Sequence, residues 1–140
     1  MSAHDSDSIL IVDDEPPVRR MVHLFLELAG FRVLEASNGA EALELLDAHT
    51  ADIGLLLTDL NMPGINGIEL ATQVRRLRPD LPVVFLSGNL GQFRALPRPR
   101  GCLSIDKPFR AGELIRCIRK ALATAHQGEP SRSTQERWDT

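Results

Sequence analysis

Short hydrophobic runs alternate with longer stretches of helical periodicity along this chain. Four of the runs end in acidic, hydroxyl or amine residues, namely IVDD (11 to 14), LLLTD (55 to 59), VVFLS (83 to 87) and LSIDK (103 to 107). A fifth, weaker run covers Phe31 to Ala36. Such alternation is typical of parallel strands joined by crossover helices. The sequence therefore predicts an α/β fold built from five strand-helix repeats.

The segments between the runs carry helix signals. Pro16 and Pro17 open the first helix, where a missing N–H costs nothing, and Gly30 closes it. Its apolar face, expected to lie on the sheet, consists of Val18, Met21, Val22, Phe25, Leu28 and Ala29. The other predicted helices are one after Asn38 and Gly39 that runs through His49, one that begins near Gly64 to Gly67 and runs to Arg78, and one from Ala111 to Ala125.

The segment between Ser87 and Leu103 departs from this pattern. A fourth helix is expected there, yet the segment is rich in glycine and proline, which are poor helix formers or breakers. We predict a short helix at Asn89 to Leu96, or none.

The composition indicates one compact domain. The chain has 140 residues, of which 43% are hydrophobic and 25% are charged. A net charge of -3 argues against direct nucleic-acid binding, which normally uses a basic patch. The polar start and the lack of a long apolar run predict a cytoplasmic protein with no membrane contact. We expect a flexible N-terminus at residues 1–7, the folded domain at 8–126 and a polar, disordered tail at 127–140.

If the runs are parallel strands, their polar ends meet at one edge of the sheet, where open α/β sheets place their sites. Asp13, Asp14, Asp59, Ser87 and Lys107 would then share a pocket. Three neighbouring carboxylates are unfavourable unless a proton or a cation neutralises them. The candidate ligands are all oxygens, which favours Mg²⁺ over zinc.

This inventory suits phosphoryl transfer, in which an ionised carboxylate attacks phosphorus while a cation, an ammonium group and a hydroxyl hold the oxygens. Asp59 is the best nucleophile candidate, because it ends the most apolar strand and precedes the loop LNMPGING. Asp13 and Asp14 are then the metal-binding candidates. An Asp-Asp pair alone would be weak evidence, but its combination with a strand-terminal Asp, Ser and Lys is not easily explained by coincidence.

Four motif regions, in order, resemble the receiver domain of two-component response regulators. They are ILIVDDE at 9 to 15, LLLTDLNMPGINGIEL at 55 to 70, PVVFLSG at 82 to 88 and DKPF at 106 to 109. The resemblance spans about residues 8 to 125. It implies a flavodoxin-like (βα)5 fold, a doubly wound parallel five-stranded sheet in the order 2-1-3-4-5, here with a short or irregular fourth helix.

The resemblance also implies roles for the acidic residues. Asp59 would accept a phosphoryl group from a histidine kinase or a histidine phosphotransfer protein. Asp14 would bind Mg²⁺ directly, and Asp13 would act mainly through water. Asp59 and the main-chain carbonyl of Asn61 would supply further ligands. Such a protein is a phosphoprotein of a phosphorelay and no conventional enzyme, because it catalyses only its own aspartyl phosphorylation and dephosphorylation.

The same resemblance assigns the remaining polar residues. Ser87 would hydrogen-bond the phosphoryl group, Lys107 would pair with it, and the peptide bond between Lys107 and Pro108 would be cis. One position departs from the family pattern: Ser104 stands where many members carry an aromatic residue, and the chain has no tyrosine. Output is therefore expected to use another surface, or the protein relays phosphate or acts as a phosphate sink. The downstream protein is unknown, and we expect a monomer or a weak, phosphorylation-dependent dimer.

Two competing interpretations fit the sequence less well. A flavodoxin that binds FMN would need hydroxyls and free N–H groups in the first loop, which instead reads DDEPPV. An Mg²⁺-dependent aspartyl phosphatase would need an acid or base two residues after Asp59, where this chain has Asn61. His23 is interpreted as a solvated side chain of the first helix and not as a phosphoryl donor.

Overall fold

The computed structural model describes residues 8–88 and 97–126. The strands are β1 (Ser8–Val12), β2 (Arg32–Ala36), β3 (Ile53–Asp59), β4 (Val83–Ser87) and β5 (Leu103–Asp106). The helices within these ranges are α1 (Pro16–Leu28), α2 (Gly39–Ala48), α3 (Gly67–Leu77) and α4 (Ala111–His126). The short or absent helix predicted at 89–96, the N-terminus at 1–7 and the tail at 127–140 fall outside the described residues.

The five strands form one parallel sheet in the order β2-β1-β3-β4-β5. This confirms the α/β class, the parallel pairing and the strand order. β3 lies at the centre of the sheet, and its seven residues include six that are buried. Because a central parallel strand is covered on both faces, it reads as a continuous apolar run and not as an alternating one.

Helices cover both faces of the sheet. On one face α2 and α3 pack against alternate strand residues such as Leu10, Leu56 and Phe85. On the other face α1 and α4 pack against the intervening residues, including Ile11 and Leu57. The period of two along each strand thus divides the apolar runs between two cores. None of the helices in the described ranges combines the length and the apolar character that a membrane crossing requires.

Side-chain caps fix the starts of α2 and α3. The Asn38 side chain accepts a hydrogen bond from the Glu41 N–H at 2.8 Å. Asn66 and Glu69 form a reciprocal capping box, with each side chain accepting from the other residue's main-chain N–H. The cap places the start of α3 at Gly67, directly after the loop that follows Asp59.

The buried face of α1 differs from the one predicted. Val22 and Leu26 are fully buried, whereas Met21 is 40% and Leu28 is 78% exposed. The assignment of Met21 and Leu28 to the buried face was wrong, because polar groups on the other side of the helix are engaged with the sheet. Arg19 forms an ion pair with a carboxylate on β2, which turns that side of α1 toward the sheet.

Candidate functional site

The carboxyl ends of β1, β3, β4 and β5 meet at one edge of the sheet. Asp13 follows β1, Asp59 ends β3, Ser87 ends β4 and Lys107 follows β5. One carboxylate oxygen from each of Asp13, Asp14 and Asp59 lies within 4.8 Å of the other two. The parallel register therefore brings together residues that are distant in sequence, as the strand-end argument predicted.

Lys107 contacts the acidic cluster directly. Its Nζ lies 3.1 Å from Asp59 Oδ1, and the two side chains are 26% and 8% exposed. Burial raises the pKa of the Asp59 carboxyl, and the hydrogen bond from Lys107 opposes that increase. The Lys107–Pro108 peptide bond is cis, which confirms the isomer that the resemblance implied. The main-chain N–H of Lys107 also donates to the Ser87 carbonyl at 2.8 Å, which joins the ends of β4 and β5.

Asp13 is the most deeply buried carboxylate of the cluster, with no exposed surface. Oδ1 accepts a hydrogen bond from the Glu15 N–H at 2.9 Å, but the buried Oδ2 has no partner within the described part of the chain. Burial raises the pKa of the Asp13 carboxyl to about 6; the Glu15 hydrogen bond opposes this increase and the charge of Asp59 adds to it. A buried carboxylate oxygen without a partner is the feature that a bound cation would satisfy.

The donor set fits a hard divalent cation. The three side chains of the cluster offer only carboxylate oxygens, and such ligands suit Mg²⁺, which keeps several waters and needs few protein ligands. The three carboxylates among the residues predicted to hold Mg²⁺ therefore lie close together and have the ligand chemistry that the ion prefers.

Ser87 and Asn61 are the remaining predicted site residues. Ser87 is fully buried at the end of β4, next to the end of β3, where Asp59 pairs in register with Leu86. Asn61 is an exposed residue of the loop, two positions beyond Asp59. The roles assigned to the Ser87 hydroxyl and the Asn61 carbonyl stay predictions.

Gly67 is a site residue that the sequence argument missed. A β-carbon at this position would lie 2.3 Å from the main-chain oxygen of Asp59 and 3.0 Å from Cα of Leu60. The Gly67 N–H donates to the Leu60 carbonyl at 2.9 Å. Only glycine allows α3 to approach the end of β3 this closely. The available signal was the second glycine of LNMPGING, which falls where the helix begins.

A polar cluster on α1 and β2 was also missed. His23 contacts Glu35 through Nδ1 and Glu27 through Nε2, the second contact at 3.1 Å. Burial lowers the pKa of the His23 imidazole, but the hydrogen bonds that it donates to the two carboxylates outweigh burial and raise it. The interpretation of His23 as a solvated side chain was wrong, because the β2 partner was not visible in the helical pattern. Arg19 binds the other oxygen of Glu35 at 2.8 Å.

Comparison of the sequence with known proteins identifies the family of this chain. Residues 9–119 match the model of the response regulator receiver domain. The response regulator receiver protein CpdR of Brucella abortus is 37% identical over 123 residues, which cover 84% of this chain and 98% of CpdR. The chain belongs to the family of response regulator receiver domains. Another relative is the phosphate regulon transcriptional regulatory protein PhoB of Pseudomonas aeruginosa, which is 34% identical over 126 residues. That match covers 87% of this chain but only 54% of PhoB.

Solved structures agree with this assignment. The chemotaxis protein CheY4 of Vibrio cholerae has a TM-score of 0.72 at 27% identity, over 83% of this chain and 98% of CheY4. A response regulator receiver protein from Sinorhizobium medicae has a TM-score of 0.76 at 29% identity, over 86% of this chain and 97% of that protein. Receiver domains are signalling modules of two-component systems and not conventional enzymes. They bind Mg²⁺ at an acidic pocket and act with histidine kinases or phosphotransfer partners.

Proposed function

We propose that this protein is a single-domain response regulator that accepts a phosphoryl group on Asp59 from a histidine kinase or a histidine phosphotransfer protein. The observation that carries the proposal is the position of Asp59, whose carboxylate lies close to two other carboxylates and contacts the ammonium group of Lys107.

The chemistry follows from this arrangement. An oxygen of the ionised Asp59 carboxylate attacks phosphorus, a new O–P bond forms, and the bond between phosphorus and the donor nitrogen breaks in line, leaving the electron pair on the donor. In its ionised form the Asp59 carboxylate needs no general base. When bound, Mg²⁺ neutralises charge on the phosphoryl oxygens. Asp14 would hold the ion directly, Asp13 mainly through water, and Asn61 through its main-chain carbonyl.

Lys107 and Ser87 would hold the transferred group. In the described structure Lys107 is paired with Asp59 at 3.1 Å, so its ammonium group already lies where negative charge accumulates during transfer. The Ser87 hydroxyl, at the adjacent strand end, would donate a hydrogen bond to a phosphoryl oxygen. Hydrolysis of the acyl phosphate by water would then reverse the modification slowly. Asn61 stands where an aspartyl phosphatase needs an acid or base, so we expect the protein not to turn over generic phosphate esters.

The partners that we propose are proteins. The exposed apolar residues Met21, Leu24 and Leu28 share one side of α1 and offer a docking surface for the helices of a phosphoryl donor. The protein would act in the cytoplasm, without direct contact to nucleic acid or membrane. It would be a monomer or form a weak dimer when phosphorylated.

Ser104 favours a second version of this function. It lies on β5 beside Phe85 of β4, three residues before Lys107, and its side chain is only partly buried. A serine offers no large ring whose burial could report phosphorylation through this edge of the sheet. The protein would then serve as a relay intermediate or phosphate sink, or signal through a different surface to its downstream partner.

The experiment that tests the proposal is intact-mass spectrometry after incubation with acetyl phosphate, with and without Mg²⁺. One phosphoryl adduct that requires Mg²⁺ supports the proposal. A folded protein that binds Mg²⁺ but takes up no phosphoryl group from acetyl phosphate or from any histidine donor would contradict it.

The Asp13→Asn variant tests the electrostatic cost of the metal site. At neutral pH and without Mg²⁺, we expect this variant to be more stable than the wild type by about 2 kcal/mol. The folded-state pKa of Asp13 is raised to about 6, so the stability that its neutral form gives is present at low pH and is lost as pH rises through that value. Asparagine stays neutral and keeps the oxygen that accepts from the Glu15 N–H. Urea unfolding in the presence of a chelator measures the difference.

Two comparisons control this result. The difference between variant and wild type should shrink toward about pH 4, where Asp13 is largely protonated in the folded state and about half protonated in the unfolded state. Asp80→Asn, which changes an exposed carboxylate in the turn before β4, should leave stability unchanged. Added Mg²⁺ should stabilise the wild type and affect Asp13→Asn little. A variant that is less stable than the wild type at neutral pH without metal would contradict the argument.

A further inference from the structure

The loop that carries Asp13 and Asp14 is held from two neighbouring elements. The Asp13 N–H donates to the Ala36 carbonyl at the end of β2, at 3.1 Å. The Asp13 carbonyl accepts a hydrogen bond from Nη1 of Arg19, on the first turns of α1, at 2.7 Å. Both main-chain polar groups of Asp13 are therefore fixed by residues outside the acidic cluster. The direction in which the chain leaves β1 depends on these two contacts.

Arg19 is itself fixed at a second point. Its Nε donates to Glu35 Oε1 at 2.8 Å, and the two side chains are only 15% and 29% exposed. The other oxygen of Glu35 contacts His23 Nδ1. A planar guanidinium group with two of its N–H groups on different acceptors has little rotational freedom. Arg19 thus bridges a rigid strand and the metal-binding loop.

We propose that Arg19 is a positioning residue for the metal site, because it fixes the main chain from which the Asp13 and Asp14 carboxylates extend. The inference rests on the proposed Mg²⁺-dependent function. The guanidinium group binds the Asp13 carbonyl and forms its ion pair with Glu35, outside the cluster. It therefore restrains the loop without taking the place of the cation. Restraint is needed because the carboxylates of the cluster repel one another and would separate in a free loop.

Charge and positioning predict opposite results for removal of Arg19. If the side chain acted on the site only through its positive charge, its removal would make the pocket more negative and Mg²⁺ would bind more tightly. If it positions the loop, its removal lets the carboxylates separate and Mg²⁺ binds more weakly. The sign of the change in affinity distinguishes the two roles.

The test is a calorimetric titration of Mg²⁺ into the wild type, Arg19→Ala, Arg19→Lys and Arg20→Ala. We expect Arg19→Ala to bind Mg²⁺ about tenfold more weakly, the size of effect typical of residues that orient metal ligands. Arg19→Lys keeps the charge but reaches one acceptor at a time, so it should recover part of the loss. Arg20→Ala removes the same charge from an exposed neighbour on the same helix and should keep the wild-type affinity.

A second measurement uses the metal-free protein. The Glu15 N–H donates to Asp13 Oδ1 within the loop, whereas Leu10 lies inside β1. In Arg19→Ala, amide hydrogen exchange should accelerate at Glu15 and stay unchanged at Leu10. If Arg19→Ala does not fold, the same two measurements on Arg19→Lys decide the question, with the same directions expected.

The outcomes separate this inference from the function on which it rests. Weaker Mg²⁺ binding together with faster exchange at Glu15 supports the positioning role. A folded Arg19→Ala protein that binds Mg²⁺ as tightly as the wild type, or more tightly, would overturn it. A wild-type protein that does not bind Mg²⁺ would instead refute the proposed metal site, whatever the variants do.

Discussion

The Asp59→Asn variant is expected to take up no phosphoryl group from acetyl phosphate under conditions in which the wild type gains one. The amide of asparagine is not a nucleophile toward phosphorus, and the described structure brings only Asp13 and Asp14 close enough to substitute for it. Asp13 is buried, and one of its carboxylate oxygens already accepts a hydrogen bond from the Glu15 N–H. Asp13 and Asp14 are also proposed metal ligands. Intact-mass spectrometry of both proteins with Mg²⁺ measures the loss, which should be complete.

A matched control makes the loss interpretable. Asp106→Asn changes an exposed carboxylate at the same edge of the sheet, directly before Lys107, and should leave the adduct intact. The amide oxygen introduced by Asp59→Asn can still accept a hydrogen bond from Lys107, so the variant should fold, and urea unfolding verifies this. Retention of the full adduct in folded Asp59→Asn would show that another residue is the acceptor. In that case the assignment of the nucleophile, and not the fold, would be wrong.

The sheet and the convergence of the site residues were predictable because they depend on local patterns. Apolar runs such as LLLTD specify a buried parallel strand, and the polar residue at each run's end marks the edge where the site lies. The burial of Asp13 and Asp59 follows from the same geometry, since both emerge from fully covered strands. The strand order, by contrast, came from the resemblance, because apolar runs do not encode which strands are neighbours.

The missed contacts depend on spatial relationships between elements. Glu35 lies beside Ile11 in the β1–β2 register, which places its carboxylate under α1, where Arg19 and His23 can reach it. From the helical pattern of α1 alone, His23 was interpreted as solvated and Leu28 was assigned to the face that lies on the sheet. The burial of α1 was mispredicted because a polar residue on the sheet can form contacts with the polar side of an amphipathic helix and turn that side toward the sheet. Arg19, which pairs with Glu35, also donates a hydrogen bond to the Asp13 carbonyl beside the metal site.

The Gly67→Ala variant should lose both stability and phosphorylation. Its β-carbon would lie 2.3 Å from the Asp59 carbonyl oxygen and 3.0 Å from Leu60 Cα. Both obstacles belong to the main chain, so no side-chain rotation relieves them, and α3 must move away from the end of β3. We expect a loss of about 3 kcal/mol in the free energy of unfolding, typical of overpacking. This loss would occur although alanine favours a helix over glycine by about 1 kcal/mol.

The displacement should also affect the chemistry, because the obstructing oxygen belongs to the nucleophile's own residue. A shift of Asp59 by about 1 Å misaligns its carboxylate with Lys107 and the metal ligands, and such misplacement can slow a reaction on the order of a hundredfold. Urea unfolding and the rate of adduct formation with acetyl phosphate measure the two effects. Gly112→Ala in α4 is the control, because a β-carbon there would lie 3.9 Å from its nearest neighbour, Nη2 of Arg116. Unchanged phosphorylation in a destabilised Gly67→Ala protein would mean that this close approach supports the fold alone and does not position Asp59.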